Sequence, residues 1–91
     1  MSAGASGLEV RAKTRRGRDC ALVDNTGDAL PRAELERLLA DLVAADAFGF
    51  RASGGAGGAI QLDRPGFGHV QIGERLYRLI VERYRARLEK F

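Results

Sequence analysis

The chain has too little cysteine and histidine for most of the chemistry that these two residue types carry. Its 91 residues include one cysteine, Cys20, and one histidine, His69. A single cysteine excludes an internal disulfide bond, which is typical of a protein in a reducing compartment. One histidine and one cysteine also fall short of the four ligands of a structural zinc site. The sequence predicts no metal site and no cofactor.

Long apolar runs are missing as well. No stretch approaches the roughly 20 apolar residues that a membrane-spanning helix requires, and residues 1–7 have no apolar segment of the kind found in a secretory signal. We therefore expect a cytoplasmic protein without a membrane partner. The hydrophobic fraction of 45% is that of a folded protein. We expect a flexible tail at residues 1–7 and a single domain over residues 8–91.

Catalytic signatures are also scarce. Cys20 and His69 fall on different predicted strands, so no nucleophile is paired with a base by its position in the sequence. The glycine-rich residues 54–58 are followed by strand-like residues, whereas a phosphate-binding loop is followed directly by a helix. We interpret this segment as a hairpin tip. The sequence predicts no catalytic residue, and we expect the protein not to be an enzyme.

Charge is abundant and unevenly distributed. The net charge is +3, but basic residues predominate in residues 1–23 and 73–91, whereas acidic residues predominate in residues 24–46. Such an asymmetry can attract an acidic partner or orient one copy against another. The abundance of arginine and alanine is also typical of a GC-rich genome, and we expect a bacterial protein.

The first half of the chain has clear periodicity. Apolar and charged residues alternate over residues 8–13, a glycine turn follows at residues 15–17, and residues 18–23 are predicted to form a second strand. Residues 24–28 have the composition of a turn. A helix is predicted over residues 31–46, and its apolar face consists of Leu35, Leu38, Leu39, Leu42 and Val43.

The second half is predicted to hold three short strands and a helix. The strands are expected at residues 47–52, 59–63 and 67–72, separated by a glycine-rich tip at residues 53–58 and by a turn at residues 64–66. In the last strand Val70 and Ile72 lie opposite Phe67, His69 and Gln71. A final helix is expected over residues 74–91.

These elements predict the order ββαβββα. Because most connections are short turns, the sheet is expected to be small and mostly antiparallel, with two amphipathic helices on one face. The predicted fold class is α+β.

The predicted last helix suggests the function. Its apolar stripe consists of Leu76, Tyr77, Ile80, Val81, Tyr84, Leu88 and Phe91. A helix of 18 residues is about 27 Å long and extends beyond a short strand of about 17 Å. We therefore hypothesise a non-catalytic interaction or accessory module that self-associates or docks on a protein partner. Its predicted interface consists of Arg78, Tyr84, Arg85, Leu88 and Phe91.

The alternative hypothesis is nucleic-acid binding by the basic N-terminal hairpin. Its candidate phosphate contacts are Arg11, Lys13, Arg15, Arg16 and Arg18. The sequence Phe48-Gly49-Phe50 resembles the Phe-Gly-Phe stretch of RNA-recognition and cold-shock strands, which implies that Phe48 and Phe50 stack on bases. The pattern more strongly favours a core position for both rings, under the two predicted helices.

Overall fold

The computed structural model describes residues 8–49, 60–64 and 66–91, and these form six strands, one α-helix and a short 3₁₀-helix. The element order is β1, β2, α1, the 3₁₀-helix, then β3 to β6. Their bounds are β1 Glu9–Lys13, β2 Asp19–Asp24, α1 Arg32–Ala44, the 3₁₀-helix Ala47–Gly49, β3 Ile60–Arg64, β4 Phe67–Ile72, β5 Arg75–Glu82 and β6 Arg85–Lys90.

The six strands form one mixed sheet in the order β1-β2-β6-β5-β4-β3. Neighbouring strands are antiparallel except β2 and β6, which run parallel with Ala21 opposite Arg85 and Leu22 opposite Ala86. This one parallel pair joins the N-terminal hairpin to the four C-terminal strands. It also places residues that are more than sixty positions apart in the sequence side by side.

One face of the sheet packs under α1 and forms the core. The apolar residues that alternate along each strand point to this side, among them Val10, Leu22, Val70 and Leu79. The helix contributes Leu35, Leu38, Leu39 and Leu42, all of which are buried. The faces predicted for residues 8–13 and 67–72 are confirmed, and so is a helix within residues 31–46.

The predicted order ββαβββα is wrong, because residues 74–91 form no helix. They form the antiparallel hairpin of β5 and β6, in which Leu79 lies opposite Leu88 and Val81 lies opposite Ala86. The apolar residues of this segment satisfy a period of two as well as a period near 3.6. The strand structure is selected because β6 pairs with β2 and β5 pairs with β4. This pairing satisfies the backbone N–H and C=O groups of both strands within the sheet.

The turn between β5 and β6 has no residue that usually marks a turn. Glu82 pairs with Arg85, so the loop consists of Arg83 and Tyr84 alone. Tyr84 has a φ of 60°, in the left-handed region that glycine or asparagine normally occupies. By contrast, the preceding two-residue loop begins with Gly73, whose φ of 64° suits a hairpin turn. The composition of residues 74–91 therefore gave no indication that a turn divides this segment.

The strand predicted over residues 47–52 is also wrong in the part that the structure describes. Residues Ala47–Gly49 form the 3₁₀-helix that follows α1. Phe48 is buried in the core, as the favoured interpretation of its position predicts. The predicted tail at residues 1–7, Phe50 and the glycine-rich tip at residues 53–58 lie outside the described residues.

The loop between β2 and α1 is held by a buried carboxylate. Asp24 accepts hydrogen bonds from the backbone N–H and the hydroxyl of Thr26, at 2.9 and 2.6 Å, and from the backbone N–H of Leu30 at 3.2 Å. These bonds satisfy donors that burial would otherwise leave without a partner.

None of the helices in the described part of the chain is both long enough and apolar enough to span a membrane.

Candidate interaction surface

The face of the sheet that points away from α1 is here called the open face. The described residues place no second layer over it. Strand alternation puts charged or polar residues on this face, such as Glu9 and Arg11 in β1, His69 in β4 and Arg87 in β6. An antiparallel or mixed sheet with helices on one side commonly leaves its other face to solvent or to a partner.

The open face also carries a group of exposed apolar side chains. Phe67, Leu76 and Phe91 are 45%, 50% and 67% exposed, and they are the exposed large hydrophobic residues of the described chain. Phe67 pairs with the half-buried Ile80 across β4 and β5. Phe91 follows the pair of Tyr77 with Lys90, which puts it level with Leu76. Phe67 and Ile80 form one apolar pair, and Leu76 and Phe91 form another, with Arg78 between the two pairs along β5. We call these four residues the apolar patch.

Two arginines lie over the aromatic rings of the apolar patch. The guanidinium carbon of Arg64 is 4.5 Å from the centre of the Phe67 ring, and that of Arg78 is 5.4 Å from the centre of the Phe91 ring. Stacking of this kind attracts the cation to the ring and also holds a long side chain flat on the surface. Aromatic residues and arginine are enriched at the energetic centres of protein interfaces.

The remainder of the open face combines charges of both signs. Glu9 lies 2.8 Å from Arg11 and 3.5 Å from Arg85, and Arg87 lies 3.1 Å from Glu82 and 2.9 Å from Glu89. Exposed pairs like these add little to stability. Their consequence here is that the open face is nearly neutral overall, so it has no single sign of charge to offer a strongly charged partner.

Three of the five residues predicted for the protein interface lie on the open face. Arg78 and Arg85 are exposed there, and Phe91 belongs to the apolar patch. Leu88 is 0% exposed and belongs to the core, so its assignment to an interface is wrong. Tyr84 lies in the β5–β6 turn, half-buried against the core rather than on an overhanging helix.

The residues predicted for nucleic-acid binding fall into separate groups. Arg15, Arg16 and Arg18 are exposed in the β1–β2 turn. Arg11 and Lys13 lie on the open face, where Glu9 and Asp19 pair with them at 2.8 and 2.7 Å.

Base stacking by Phe48 is wrong, because its ring is only 3% exposed and packs among core residues. Phe50 lies outside the described residues.

No catalytic pair forms between Cys20 and His69. Cys20 is a buried thiol on the helix side of β2, and burial raises its pKa. His69 lies on the open face of β4, with β6 and β5 between the two strands. His69 is 3.2 Å from Asp63, but the described neighbours on this face offer no nucleophile. Within the described residues no group of histidine, cysteine and carboxylate side chains could hold a metal ion.

A polar cluster around Asp28 fixes the loop before α1 to the end of the sheet where β5 begins and β6 ends. The Asp28 carboxylate accepts a hydrogen bond from the Tyr77 hydroxyl at 2.8 Å and pairs with the Lys90 ammonium at 2.9 Å. Arg75 lies farther away, at 3.8 Å. The bonds from Lys90 and Tyr77 hold the pKa of Asp28 below its usual value of 3.8. Burial and the neighbouring carboxylate raise the pKa of Tyr77.

We expect Asp28→Asn to make the stability of the protein less sensitive to acid. Because the pKa of Asp28 is lower in the folded state, its charge stabilises the fold at neutral pH, and this contribution is lost as the pH falls through the folded pKa. The variant should be less stable than the wild type at pH 7 and should lose less stability on acidification. Urea unfolding at several pH values between about 2 and 7 measures both effects.

The matched control is Asp41→Asn, which neutralises a helix carboxylate that has no ion pair within the described residues. It should follow the wild-type pH profile. Equal profiles for the two variants would show that the bonds to Tyr77 and Lys90 do not stabilise the charged form of Asp28.

Three residues of the apolar patch, Phe67, Leu76 and Ile80, were not predicted for the interface. The signal for Phe67 was present, because the alternation of β4 places it opposite the core residues Val70 and Ile72. Leu76 and Ile80 were assigned to the stripe of a helix, which hid their positions on the outer face of β5. The position of Arg83 near the N-terminal hairpin could not be predicted from the sequence either, because it depends on the pairing of β6 with β2.

Comparisons of the chain with protein-family models, with curated proteins and with solved structures gave no match.

Proposed function

We propose that the protein is a non-catalytic interaction module and that its open face packs against the open face of a second copy. One observation carries this proposal. The exposed large hydrophobic residues of the described chain, Phe67, Leu76 and Phe91, all lie on the same side of the sheet. Exposed apolar side chains that share one face, unlike single scattered ones, are typical of interaction sites.

A second copy is the occupant that suits the charges of this face. Acidic and basic side chains are interleaved on it, with Glu82, Arg87 and Glu89 as one example. A rotated copy of the same face can therefore place its acidic residues against basic ones, as a two-fold interface requires. A strongly acidic or strongly basic partner would meet repulsion at about half of these positions.

The size of the face favours a weak dimer. Five gaps between strands make the sheet about 24 Å wide, and its strands are about 20 Å long. About 500 Å² for each copy is at the low end of specific interfaces. We expect a dissociation constant of roughly 1–100 µM, with the two sheets about 10 Å apart.

We further propose that the module works in the cytoplasm, because its single cysteine is a free thiol.

Sedimentation velocity over a concentration series tests this proposal. From about 1 to about 500 µM the protein should change from monomer to dimer. The dimer should persist at about 0.5 M salt, because apolar contacts are not screened by ions. A monomer at every concentration would contradict the proposal, and so would an assembly that dissociates completely in salt.

A further inference from the structure

Three turns at one end of the sheet carry a row of exposed arginines. The β1–β2 turn contributes Arg15, Arg16 and Arg18, the β5–β6 turn contributes Arg83, and β3 ends at Arg64. We call these five arginines the basic rim. Four of them lie in the turns at the end of the sheet, and Arg64 lies over the Phe67 ring at the border of the open face. A dimer through the apolar patch therefore leaves most of them accessible.

The structure itself joins the separate turns. The backbone N–H of Ala21 donates to the carbonyl of Tyr84 at 3.1 Å, and the guanidinium carbon of Arg18 lies 5.6 Å from the centre of the Tyr84 ring. On the other side, the N–H of Val81 donates to the carbonyl of Gly66 at 2.9 Å. The β1–β2, β5–β6 and β3–β4 turns therefore form one continuous edge.

The charges of the basic rim are not neutralised within the protein. The described residues include every aspartate and glutamate of the sequence. None of these carboxylates lies within ion-pair distance of Arg15, Arg16, Arg18, Arg64 or Arg83, whereas neighbouring Lys13, Arg85 and Arg87 all have carboxylate partners. The turns themselves, residues 14–18 and 83–84, contain no acidic residue.

We propose that the basic rim binds the phosphodiester backbone of a nucleic acid. Six strands spread the arginines over about 24 Å, which suits a polymer of phosphates better than a single small anion. The guanidinium group binds phosphate oxygens through two parallel hydrogen bonds. A membrane surface fits less well, because Tyr84, the one aromatic side chain in these turns, is half-buried beneath Arg18 rather than free to insert.

This proposal replaces the residues first expected for nucleic-acid binding. Arg15, Arg16 and Arg18 remain, whereas Phe48 is buried in the core and the added cations come from the C-terminal half of the chain. Contacts to phosphate through guanidinium groups should give binding that depends on salt and is indifferent to base sequence.

Fluorescence anisotropy with a labelled 20-nucleotide thymidine strand and with a 20-base-pair duplex tests the proposal. With four to five phosphate contacts, the slope of log K against log salt should be about −3 for the single strand and about −4 for the duplex. Affinity for the duplex should fall about 100-fold or more between 50 and 200 mM salt. The tighter of the two probes identifies the form of nucleic acid that the rim prefers.

The decisive variant removes one arginine from each of two turns. Arg16→Ser with Arg83→Ser should weaken duplex binding about 50-fold at 0.1 M salt and make the slope shallower by about 1.8. The matched control, Arg37→Ser with Arg75→Ser, removes the same charge from the exposed side of α1 and from the other end of the sheet. It should change the affinity less than threefold.

Several results would overturn the proposal: neither probe binds at 50 mM salt, or the rim variant and its control lose affinity equally, or poly-glutamate binds as tightly as the thymidine strand. Thermal unfolding of the rim variant should match the wild type, since the rim arginines make no ion pair within the described residues. Self-association should also be unchanged in it, so failure of this proposal and failure of the dimer proposal are distinguishable.

Discussion

Leu88→Ala should lower the free energy of unfolding by about 2–5 kcal/mol, whereas Leu76→Ala should change it by no more than about 0.5 kcal/mol. Leu88 is 0% exposed and lies opposite Leu79 in the core, and Leu76 is 50% exposed on the open face. The two leucines belong to adjacent strands of one hairpin, so they form a matched pair. Their difference measures the cavity left under α1.

Urea unfolding at a protein concentration below about 1 µM measures this difference without a contribution from dimerisation. If the C-terminal segment were a helix extending beyond the sheet, Leu88 near its end would be exposed and Leu88→Ala would cost little. Equal small effects for both variants would therefore contradict the strand assignment and the core position of Leu88. The loss expected for Leu88→Ala is a large part of the total stability, since small domains are stable by only about 5–15 kcal/mol.

Local patterns predicted the elements in which one periodicity stands alone. Residues 8–13 alternate strictly, and β1 is found there. The leucines of α1 recur at helical spacing, and the helix occupies Arg32–Ala44 within the expected range. In β4 the alternation of Phe67, His69 and Gln71 with buried residues gave the correct outer face. In these segments local propensity and tertiary packing favour the same structure.

The C-terminal segment could not be predicted in this way, because its residues suit both structures. Glutamate, arginine and leucine are good helix formers, and the run Leu79-Ile80-Val81 supplies apolar residues to either periodicity. The turn at Arg83-Tyr84 contains no glycine, proline or asparagine to interrupt a helix. The strand is selected by hydrogen bonds to β2 and β4, which are distant in the sequence.

The helix predicted over residues 74–91 also led to wrong positions for part of the candidate surface. Phe91 and Arg78 were expected at an interface as parts of a helix, and they occupy the open face as parts of a sheet. Leu76 and Leu88 were assigned to one stripe, but strand pairing puts them on opposite faces. Similarly, the basic character of residues 15–18 was evident from the sequence, whereas their proximity to the β5–β6 turn depends on the parallel pairing of β2 with β6.

Leu76→Asp should have the largest effect on self-association. In the proposed dimer Leu76 is covered by the apolar patch of the second copy, so the variant would bury a carboxylate without a partner. We expect its dissociation constant to rise about 100-fold or more. Because Leu76 is half exposed in the monomer, the fold itself should tolerate the change. The matched control is Ala40→Asp, which adds the same charge to the exposed side of α1.

The direct measurement is the sedimentation coefficient of Leu76→Asp and Ala40→Asp at a concentration where the wild type is dimeric. The proposed interface predicts a monomer for Leu76→Asp and a dimer for Ala40→Asp, with thermal unfolding showing that both variants are folded. A dimer for both variants would contradict the assignment of the open face as the surface of self-association.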